Sequence, residues 1–167
     1  MKAARLAPEA ILLPTDFDAY RHYSRLFKAA VAGIAPRIED RGIDEIYIDL
    51  TELPGETRAL ALHIKQAVRE ATGLSCSIGL TPNKLLSKIC SDLEKPDGLT
   101  ILGLTELPNR IWPLPVRKIN GIGPKATEKL AALGITTIGE LARAEPVVLQ
   151  THFGLSTAAW MHDAAHG

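Results

Sequence analysis

The sequence predicts an α+β protein in which helices pack on one side of a mainly antiparallel sheet, followed by a small all-helical part. Apolar residues alternate over 42–51 and 74–80, the period of half-buried strands, and helical periodicity lies between these runs. After Gly103 no strand pattern returns, and short helical segments follow one another. We therefore place a domain boundary near Leu104, which gives domains at 1–104 and 105–167.

The first elements are a short strand and a long helix. The apolar run Ala10–Leu13 ends at Pro14 and is typical of a strand, and Asp16 is placed to cap the helix that follows. Pro36 closes this helix. Its apolar residues recur at helical spacing and are expected to face the core: Phe17, Tyr20, Tyr23, Phe27, Ala30, Val31 and Ile34.

A hairpin and a second helix come next. Residues 37–42 are expected to pair with the strand at 42–51, and Pro54-Gly55 forms a turn. The second helix has its apolar face at Leu60, Ile64, Ala67, Val68 and Ala71, and Gly73 ends it.

A strand at 74–80 leads into a third helix. Thr81 is expected to cap it, with Pro82 at its first position. The turn at 95–98 and a last short strand at 99–102 complete the domain.

Bulk composition excludes few function classes. Lys plus Arg equals Asp plus Glu at 19 each, so net charge does not indicate a nucleic-acid partner. Two cysteines without metal-ligand spacing, Cys76 and Cys90, are typical of buried free thiols in a reducing compartment. We expect a cytoplasmic protein with no membrane partner, because no segment has the length of a signal peptide or of a membrane span.

Two adjacent carboxylates, Asp44 and Glu45, stand at the head of the strand at 42–51. Oxygen ligands suit a hard divalent cation, and solvated acids at a polar turn are the alternative. In an ideal strand the two side chains point to opposite faces, so joint coordination requires a bend or a bulge.

The most specific local pattern is Gly121-Ile122-Gly123-Pro124-Lys125. It resembles a helix-hairpin-helix turn, in which the glycines permit a tight turn and free N–H groups at the next helix start hold a phosphate. An αα-corner without ligand is the alternative. Residues 108–133 carry five basic side chains against the single acid Glu128, at Arg110, Arg117, Lys118, Lys125 and Lys129.

Lysines line one face of the third helix. Lys84 and Lys88 lie four residues apart, and Lys95 follows the helix. They are candidates for contacts to a triphosphate or a DNA backbone, and a solvated helix face is the alternative.

Together these segments resemble the Y-family translesion DNA polymerases, the DinB/UmuC group. The matching segments are Leu12 to Tyr20, Gly42-Ile43-Asp44-Glu45-Ile46-Tyr47-Ile48-Asp49, the block from Ser77 to Asp92, Lys95-Pro96-Asp97-Gly98 and the hairpin. The resemblance implies a partial ferredoxin-like palm at 1–104 and a helix-hairpin-helix thumb at 105–167.

The resemblance also implies a function, namely part of an error-prone DNA-directed DNA polymerase that acts in translesion synthesis and DNA repair. Asp44 and Glu45 would be catalytic ligands of two Mg²⁺ ions in phosphoryl transfer. Lys95 would contact the triphosphate of the incoming dNTP, and Lys84 and Lys88 are further candidates for DNA or phosphate contacts. Primer-template DNA would be held through phosphates by Gly121, Ile122, Gly123 and Lys125. A sliding clamp would bind through regions that this chain lacks.

The chain departs from the family pattern. It has no counterpart of the first palm strand with its additional metal-binding Asp, of the fingers or of the little finger, and Gly42 replaces the usual Ser. We therefore expect that it does not extend a primer alone. One alternative is a non-enzymatic DNA-binding accessory module with the same fold, and another is a different palm-type nucleotidyl transferase or cyclase.

Overall fold

The computed structural model describes residues 5–167, and its elements confirm the α+β class. The N-terminal part consists of α1 (Phe17–Ala32), β1 (Ile38–Asp40), β2 (Ile46–Ile48), α2 (Thr57–Thr72), β3 (Ile78–Leu80), α3 (Lys84–Leu93) and β4 (Leu99–Ile101). The remainder is helical: a 3₁₀ turn (Leu104–Glu106), α4 (Leu107–Arg110), a second 3₁₀ turn (Val116–Lys118), α5 (Pro124–Ala132), α6 (Ile138–Ala142), α7 (Pro146–Phe153) and α8 (Leu155–His166).

The four strands form two separate pairs. β1 and β2 pair antiparallel, with Ile38 opposite Ile48, because a short turn joins them. β3 and β4 pair in parallel, with Ile78 opposite Leu99, because α3 carries the chain back across the pair. The predicted mainly antiparallel sheet is thus divided into one antiparallel and one parallel pair.

The helices do not all lie on one side, which corrects the prediction. Ile78 of β3 packs against the apolar cluster of α1 and α2. The neighbouring Gly79 faces α3 so closely that a Cβ atom there would lie 2.2 Å from the carbonyl oxygen of Ser87. Since successive strand residues point to opposite faces, α3 and the α1–α2 layer lie on opposite sides of β3.

Helix α1 begins where the sequence predicts but is only half buried. The Asp16 carboxylate accepts a hydrogen bond from the N–H of Ala19 at 2.9 Å and caps the helix. The predicted core residues Phe17, Tyr20 and Tyr23 are instead 59%, 52% and 44% exposed. The helix extends beyond the layer that buries its second half, so the prediction for these three residues is wrong.

The predicted strand Ala10–Leu13 is absent. These residues have no strand pairing, and their apolar side chains are exposed. An apolar run alone does not form a strand, because the ladder requires a partner edge.

The other helix ends follow capping chemistry. Glu56 caps α2 by accepting from the N–H groups of Arg58 and Ala59, and Gly73 ends that helix in the left-handed conformation. Asn83 caps α3 by accepting from the N–H of Leu86 at 3.0 Å, so the predicted cap Thr81 is wrong.

Two apolar clusters hold these elements. The smaller one buries Val31, Ala35, Ile64 and Val68 between α1 and α2. The larger one reaches from α3 and Leu102 through the C-terminal helices to Ala165, so it crosses the predicted boundary near Leu104. Both cysteines are free; Cys90 is buried and Cys76 partly so. Within the described residues no helix is long and apolar enough to span a bilayer.

Candidate functional site

A large cleft separates β2 from β3 and has a volume of about 1180 Å³. The two strands form its walls, and residues of α1 and α2 lie at its base. Five of the residues predicted from the sequence line this one cleft: Asp44, Glu45, Lys84, Lys88 and Lys95. The structure therefore brings together the acid pair and the lysine set, which are about 40 to 50 residues apart in the chain.

The acid pair lies on a bend immediately before β2. Strand β2 begins only at Ile46, so neither carboxylate is part of the regular strand. Gly42, with φ of 146°, makes the bend. The alternation of side chains between the two faces of a strand therefore does not apply to Asp44 and Glu45.

A lysine that the sequence analysis did not single out fixes this bend. Lys28 of α1 donates to the carbonyl oxygen of Gly42 at 2.6 Å and to both carboxylate oxygens of Asp40, at 2.9 and 2.8 Å. The hydrogen bond from Lys28 holds the pKa of Asp40 below its usual value. Lys28 lies among apolar residues of α1 in the sequence, so the sequence pattern does not indicate its role. Its contacts in the structure do.

The lysines of the cleft are already paired with acids. Lys88 donates to Glu45, Lys84 donates to Glu39, and Lys95 pairs with Asp92 at 2.6 Å. The hydrogen bond to Glu45 raises the pKa of Lys88, and the Lys88 side chain is only 26% exposed. Lys88 is thus not part of a simply solvated helix face.

Lys65 positions the turn that carries Lys95. Its ammonium, 15% exposed, donates to the carboxylate of Asp97 at 2.6 Å and to the Asp97 carbonyl oxygen at 2.9 Å. The hydrogen bond from Lys65 lowers the pKa of Asp97. The turn is therefore anchored to α2.

The acid pair has the right chemistry for a hard cation but too few ligands. Carboxylate oxygens suit Mg²⁺, and Asp44 makes no ion pair with any residue of 5–167. The same residues include no cluster of three or more His, Cys, Asp or Glu side chains that could hold a metal ion. Within residues 5–167, Asp44 and Glu45 are therefore two carboxylates without a third such side chain beside them.

The hairpin has the positive φ expected at Gly121 but not at Gly123, where φ is −80°. Gly121 has φ of 107°, a conformation that residues with a Cβ atom rarely adopt. Helix α5 then begins at Pro124 without a side-chain cap, and no atom lies within 4 Å of a Cβ placed at Gly123. The first N–H groups of α5 are thus open to a ligand.

Ile122 and Trp160 fix this turn from two sides. The Ile122 side chain is buried, so this predicted phosphate-binding residue offers a ligand only its backbone. A Cβ atom at Gly121 would lie 2.8 Å from the indole of Trp160 on α8. Trp160 therefore contacts the turn, which the sequence analysis did not predict because α8 is distant in the chain.

Of the five basic side chains that the sequence places around the hairpin, two are engaged in other contacts. Arg110 donates to the Ile101 carbonyl oxygen at 2.7 Å and pairs with Glu106. Lys129 donates to the His152 carbonyl oxygen and lies over the Phe153 ring. Three basic side chains are left exposed and, within residues 5–167, without an acidic partner: Arg117, Lys118 and Lys125.

Comparison with known families identifies both parts of the chain. Residues 1–92, just over half of the sequence, match the impB/mucB/samB family. The chain belongs to this family. Residues 105–135 match the IMS family HHH motif, which contains the hairpin described above.

Relatives of this impB/mucB/samB member are DNA polymerases. The chain is 40% identical over 168 residues to DNA polymerase IV of Bacillus velezensis and 43% identical over 157 residues to DNA polymerase IV 1 of Bacillus subtilis. These matches cover 99% and 93% of the chain, but only 40% and 38% of the relatives. The chain thus spans about two fifths of their length.

Solved structures place the fold among Y-family polymerases. DinB from Sulfolobus solfataricus matches with a TM-score of 0.85 and 30% identity, over 98% of this chain and 49% of that protein. An insertion ternary complex of Dbh DNA polymerase matches with the same score and identity. The predicted resemblance is confirmed.

Proposed function

We propose that this chain is the palm and thumb part of an error-prone, DNA-directed DNA polymerase that acts in translesion synthesis and repair. The observation that carries the proposal is the pairing of an open helix-hairpin-helix turn with an acid-lined cleft, in a chain of the impB/mucB/samB family. The similarity to DNA polymerase IV sequences supports the same reading.

Each part has a role in this proposal. Residues 1–104 form the palm, where Asp44 and Glu45 are two of the carboxylates that hold catalytic Mg²⁺. Lys95 contacts the triphosphate of the incoming dNTP once a phosphate replaces Asp92 as its partner. Lys84 and Lys88 hold Glu39 and Glu45 in place and are candidates for phosphate contacts.

Residues 105–167 form the thumb, which holds primer-template DNA. The open N–H groups of α5 and the backbone N–H groups of Gly121, Ile122 and Gly123 donate to a DNA phosphate, and Lys125 adds a positive charge. Such contacts position the duplex without reading its sequence. We propose a cytoplasmic location. Contacts with a sliding clamp would be made by regions outside this chain.

DNA binding tests the thumb directly. We expect the double variant Gly121→Val plus Lys125→Glu to lose most of its affinity for primer-template DNA in fluorescence anisotropy. Its affinity should also fall less steeply with salt concentration, because the slope of log affinity against log salt loses the contribution of about one phosphate contact. The control is Arg25→Glu, which reverses an exposed charge on α1. Unchanged affinity of the double variant would refute the thumb assignment.

Primer extension tests the catalytic role. We propose that the purified chain does not extend a primer with Mg²⁺ and dNTPs, because residues 5–167 offer no third ligand beside Asp44 and Glu45. Extension by the chain alone would contradict this.

The second candidate function is a non-enzymatic DNA-binding accessory module. The observation that favours it is the ion pair between Lys88 and Glu45, which occupies one acid of the pair. DNA binding combined with an absence of Mn²⁺ or Mg²⁺ binding, even with primer-template and dNTP present, would favour this module over the polymerase part.

A further inference from the structure

Two histidines lie one turn apart at the end of α8. His162 and His166 are four residues apart, a spacing that places side chains on the same face of a helix. Their rings are 4.4 Å apart between centroids and are tilted by 33° to each other. The His162 side chain is 43% exposed, and His166 is exposed as well. The pair therefore offers two adjacent imidazoles to an ion from solvent.

The backbone fixes which nitrogen of His166 is free. Its Nδ1 lies 2.8 Å from the carbonyl oxygen of His162. A carbonyl oxygen only accepts hydrogen bonds, so Nδ1 carries the proton and the lone pair of the neutral ring is on Nε2. A histidine that binds a metal through one nitrogen usually donates its other N–H to a carbonyl or a carboxylate. His166 already has this arrangement.

The carboxylate of Asp163 is placed to orient His162 in the same way. Its Oδ1 lies 3.6 Å from the Nδ1 of His162, and 85% of the Asp163 side chain is exposed. Its negative charge also favours a cation beside the ring. The last carbonyl groups of α8 add to this attraction, because the macrodipole of a helix is negative at its C-terminus.

Trp112 holds this end of α8 in place. Its indole N–H donates to the carbonyl oxygen of Ala165 at 3.1 Å, and its ring meets the His166 ring edge-on, with 6.3 Å between centroids. Ala165 is also buried in the larger apolar cluster. Arg143 brings a positive charge to Trp112, where its guanidinium lies over the indole at 5.6 Å from the ring centroid. The two imidazoles are thus carried by an anchored helical turn.

We propose that His162 and His166 chelate one divalent transition-metal ion, such as Ni²⁺, Cu²⁺ or Zn²⁺, through their Nε2 atoms. Imidazole nitrogen suits these ions, whereas Mg²⁺ prefers carboxylate oxygens like those of the cleft. Two nitrogens that each lie about 2.0–2.1 Å from one tetrahedral ion are roughly 3.4 Å apart. Small rotations of two exposed side chains reach this separation from a ring spacing of 4.4 Å.

Water completes the coordination of the ion. Within residues 5–167 no third His, Cys, Asp or Glu side chain joins the pair to form a larger cluster. The bound ion links two successive turns of α8 and stabilises the packing of its last turn on Trp112. The site uses neither DNA nor the acid pair, so it is tested independently of the proposed function.

Calorimetric titration of the untagged full chain with Ni²⁺ tests the site. We expect one tight Ni²⁺ site per chain. His166→Ala should weaken its affinity by roughly tenfold or more, because the second ligand of a chelate binds at a high effective concentration. The matched control is His152→Ala. His152 is exposed and its Nδ1 lies 2.9 Å from the Val148 carbonyl oxygen, but no histidine lies one turn away, so this variant should keep the full affinity.

A second variant separates chelation from the number of histidines. His166→Ala plus Asp163→His keeps two histidines at the end of α8, but adjacent residues of a helix do not face each other. It should bind Ni²⁺ as weakly as His166→Ala does. Both positions are exposed and alanine is a strong helix former, so both variants should fold, which circular dichroism checks.

Trp112 provides an optical signal of the same site. Paramagnetic Ni²⁺ and Cu²⁺ quench a nearby indole, so ions bound beside His166 should quench Trp112 along the calorimetric binding curve. Trp160→Phe leaves Trp112 as the one tryptophan of the chain. Free Ni²⁺ at roughly ten times its Kd should also raise Tm by about 3–6 °C, and by less in His166→Ala.

Three results would overturn the proposal. One is equal Ni²⁺ affinity of His166→Ala and the unaltered chain. Another is tight binding by the variant with adjacent histidines. The third is Ni²⁺ binding that occurs only with dimer formation in analytical ultracentrifugation, because histidines of two chains would then share the ion.

Discussion

At the scale of one residue, Trp160 supports the hairpin turn at Gly121. It is 38% exposed, yet its indole lies against Gly121, whose positive φ makes the hairpin. Gly121 therefore has two constraints, its backbone conformation and the ring above it, and Trp160 is a positioning residue for the turn.

Truncation of this ring should weaken DNA binding without unfolding the chain. We expect Trp160→Ala to reduce affinity for primer-template DNA by about three- to tenfold, because the turn loses one of its two supports. Anisotropy titrations at fixed salt measure this, and Trp160→Phe should restore most of the affinity. If Trp160→Ala bound DNA as tightly as the unaltered chain, the positioning role would be wrong.

Glu140 provides a pH-dependent contribution to folding. Its carboxylate accepts from the N–H groups of Thr136 and Thr137, at 2.7 and 2.8 Å, and from the Thr136 hydroxyl at 2.9 Å. These hydrogen bonds, the one from the Thr136 N–H first, lower the pKa of Glu140 to about 2 from an ordinary 4.5. A lowered folded-state pKa stabilises the fold above the unfolded-state pKa, and the contribution is lost as pH falls toward the folded-state value.

Stability should therefore decrease between about pH 4.5 and pH 2 through Glu140. We expect Glu140→Gln to be less stable than the unaltered chain at pH 7 and to show a smaller decrease over this pH range. Urea unfolding at a series of pH values measures both. An identical pH dependence in the two proteins would contradict the assignment.

At the scale of elements, the packing of α3 on β3 depends on the absence of a side chain at Gly79. A Cβ atom there would lie 2.2 Å from the Ser87 carbonyl oxygen and 2.6 Å from the Ser91 nitrogen, both backbone atoms that cannot rotate away. The approach of helix to strand also makes the parallel β3–β4 pair possible, because α3 is the connection between them.

Gly79→Ala should destabilise the chain by about 1–3 kcal/mol, the usual effect of an overpacked core. Thermal unfolding followed by circular dichroism measures this. Gly33→Ala is the matched control, since Gly33 has a helical φ of −65° and its nearest contact to an added Cβ is 3.5 Å. Equal stability of the two variants would show that α3 can shift away from β3 at little energetic cost.

At the scale of the whole molecule, the two apolar clusters are unequal. The N-terminal cluster has four buried residues, whereas the other extends from α3 to the last turn of α8. The N-terminal part also contains the two open sheet edges and the exposed residues Ile11, Leu12 and Leu13. Few buried contacts and open edges are typical of segments that open readily.

Hydrogen exchange of the isolated chain should consequently be graded. Amides of α1, β1 and β2 are expected to exchange faster than those of α5, α6 and α8, and mass spectrometry of peptic peptides resolves these segments. Uniform protection along the chain would mean that the small cluster is as stable as the large one.

The sequence predicted the local features of this protein. Asp16 caps α1, Gly73 ends α2, and Gly121 makes the hairpin, because each of these depends on backbone conformations set by a few neighbouring residues. The acid pair, the lysine set and the family resemblance were also apparent from the sequence.

Only the tertiary structure decided which of these features act together. It places Asp44, Glu45 and the lysines around one cleft, pairs Lys88 with Glu45, and turns Lys129 away from the hairpin. It also divides the strands into two pairs and leaves Phe17 and Tyr20 exposed. These outcomes depend on contacts between residues far apart in the chain, and on partner edges that residues 5–167 do not supply, so no local pattern specifies them.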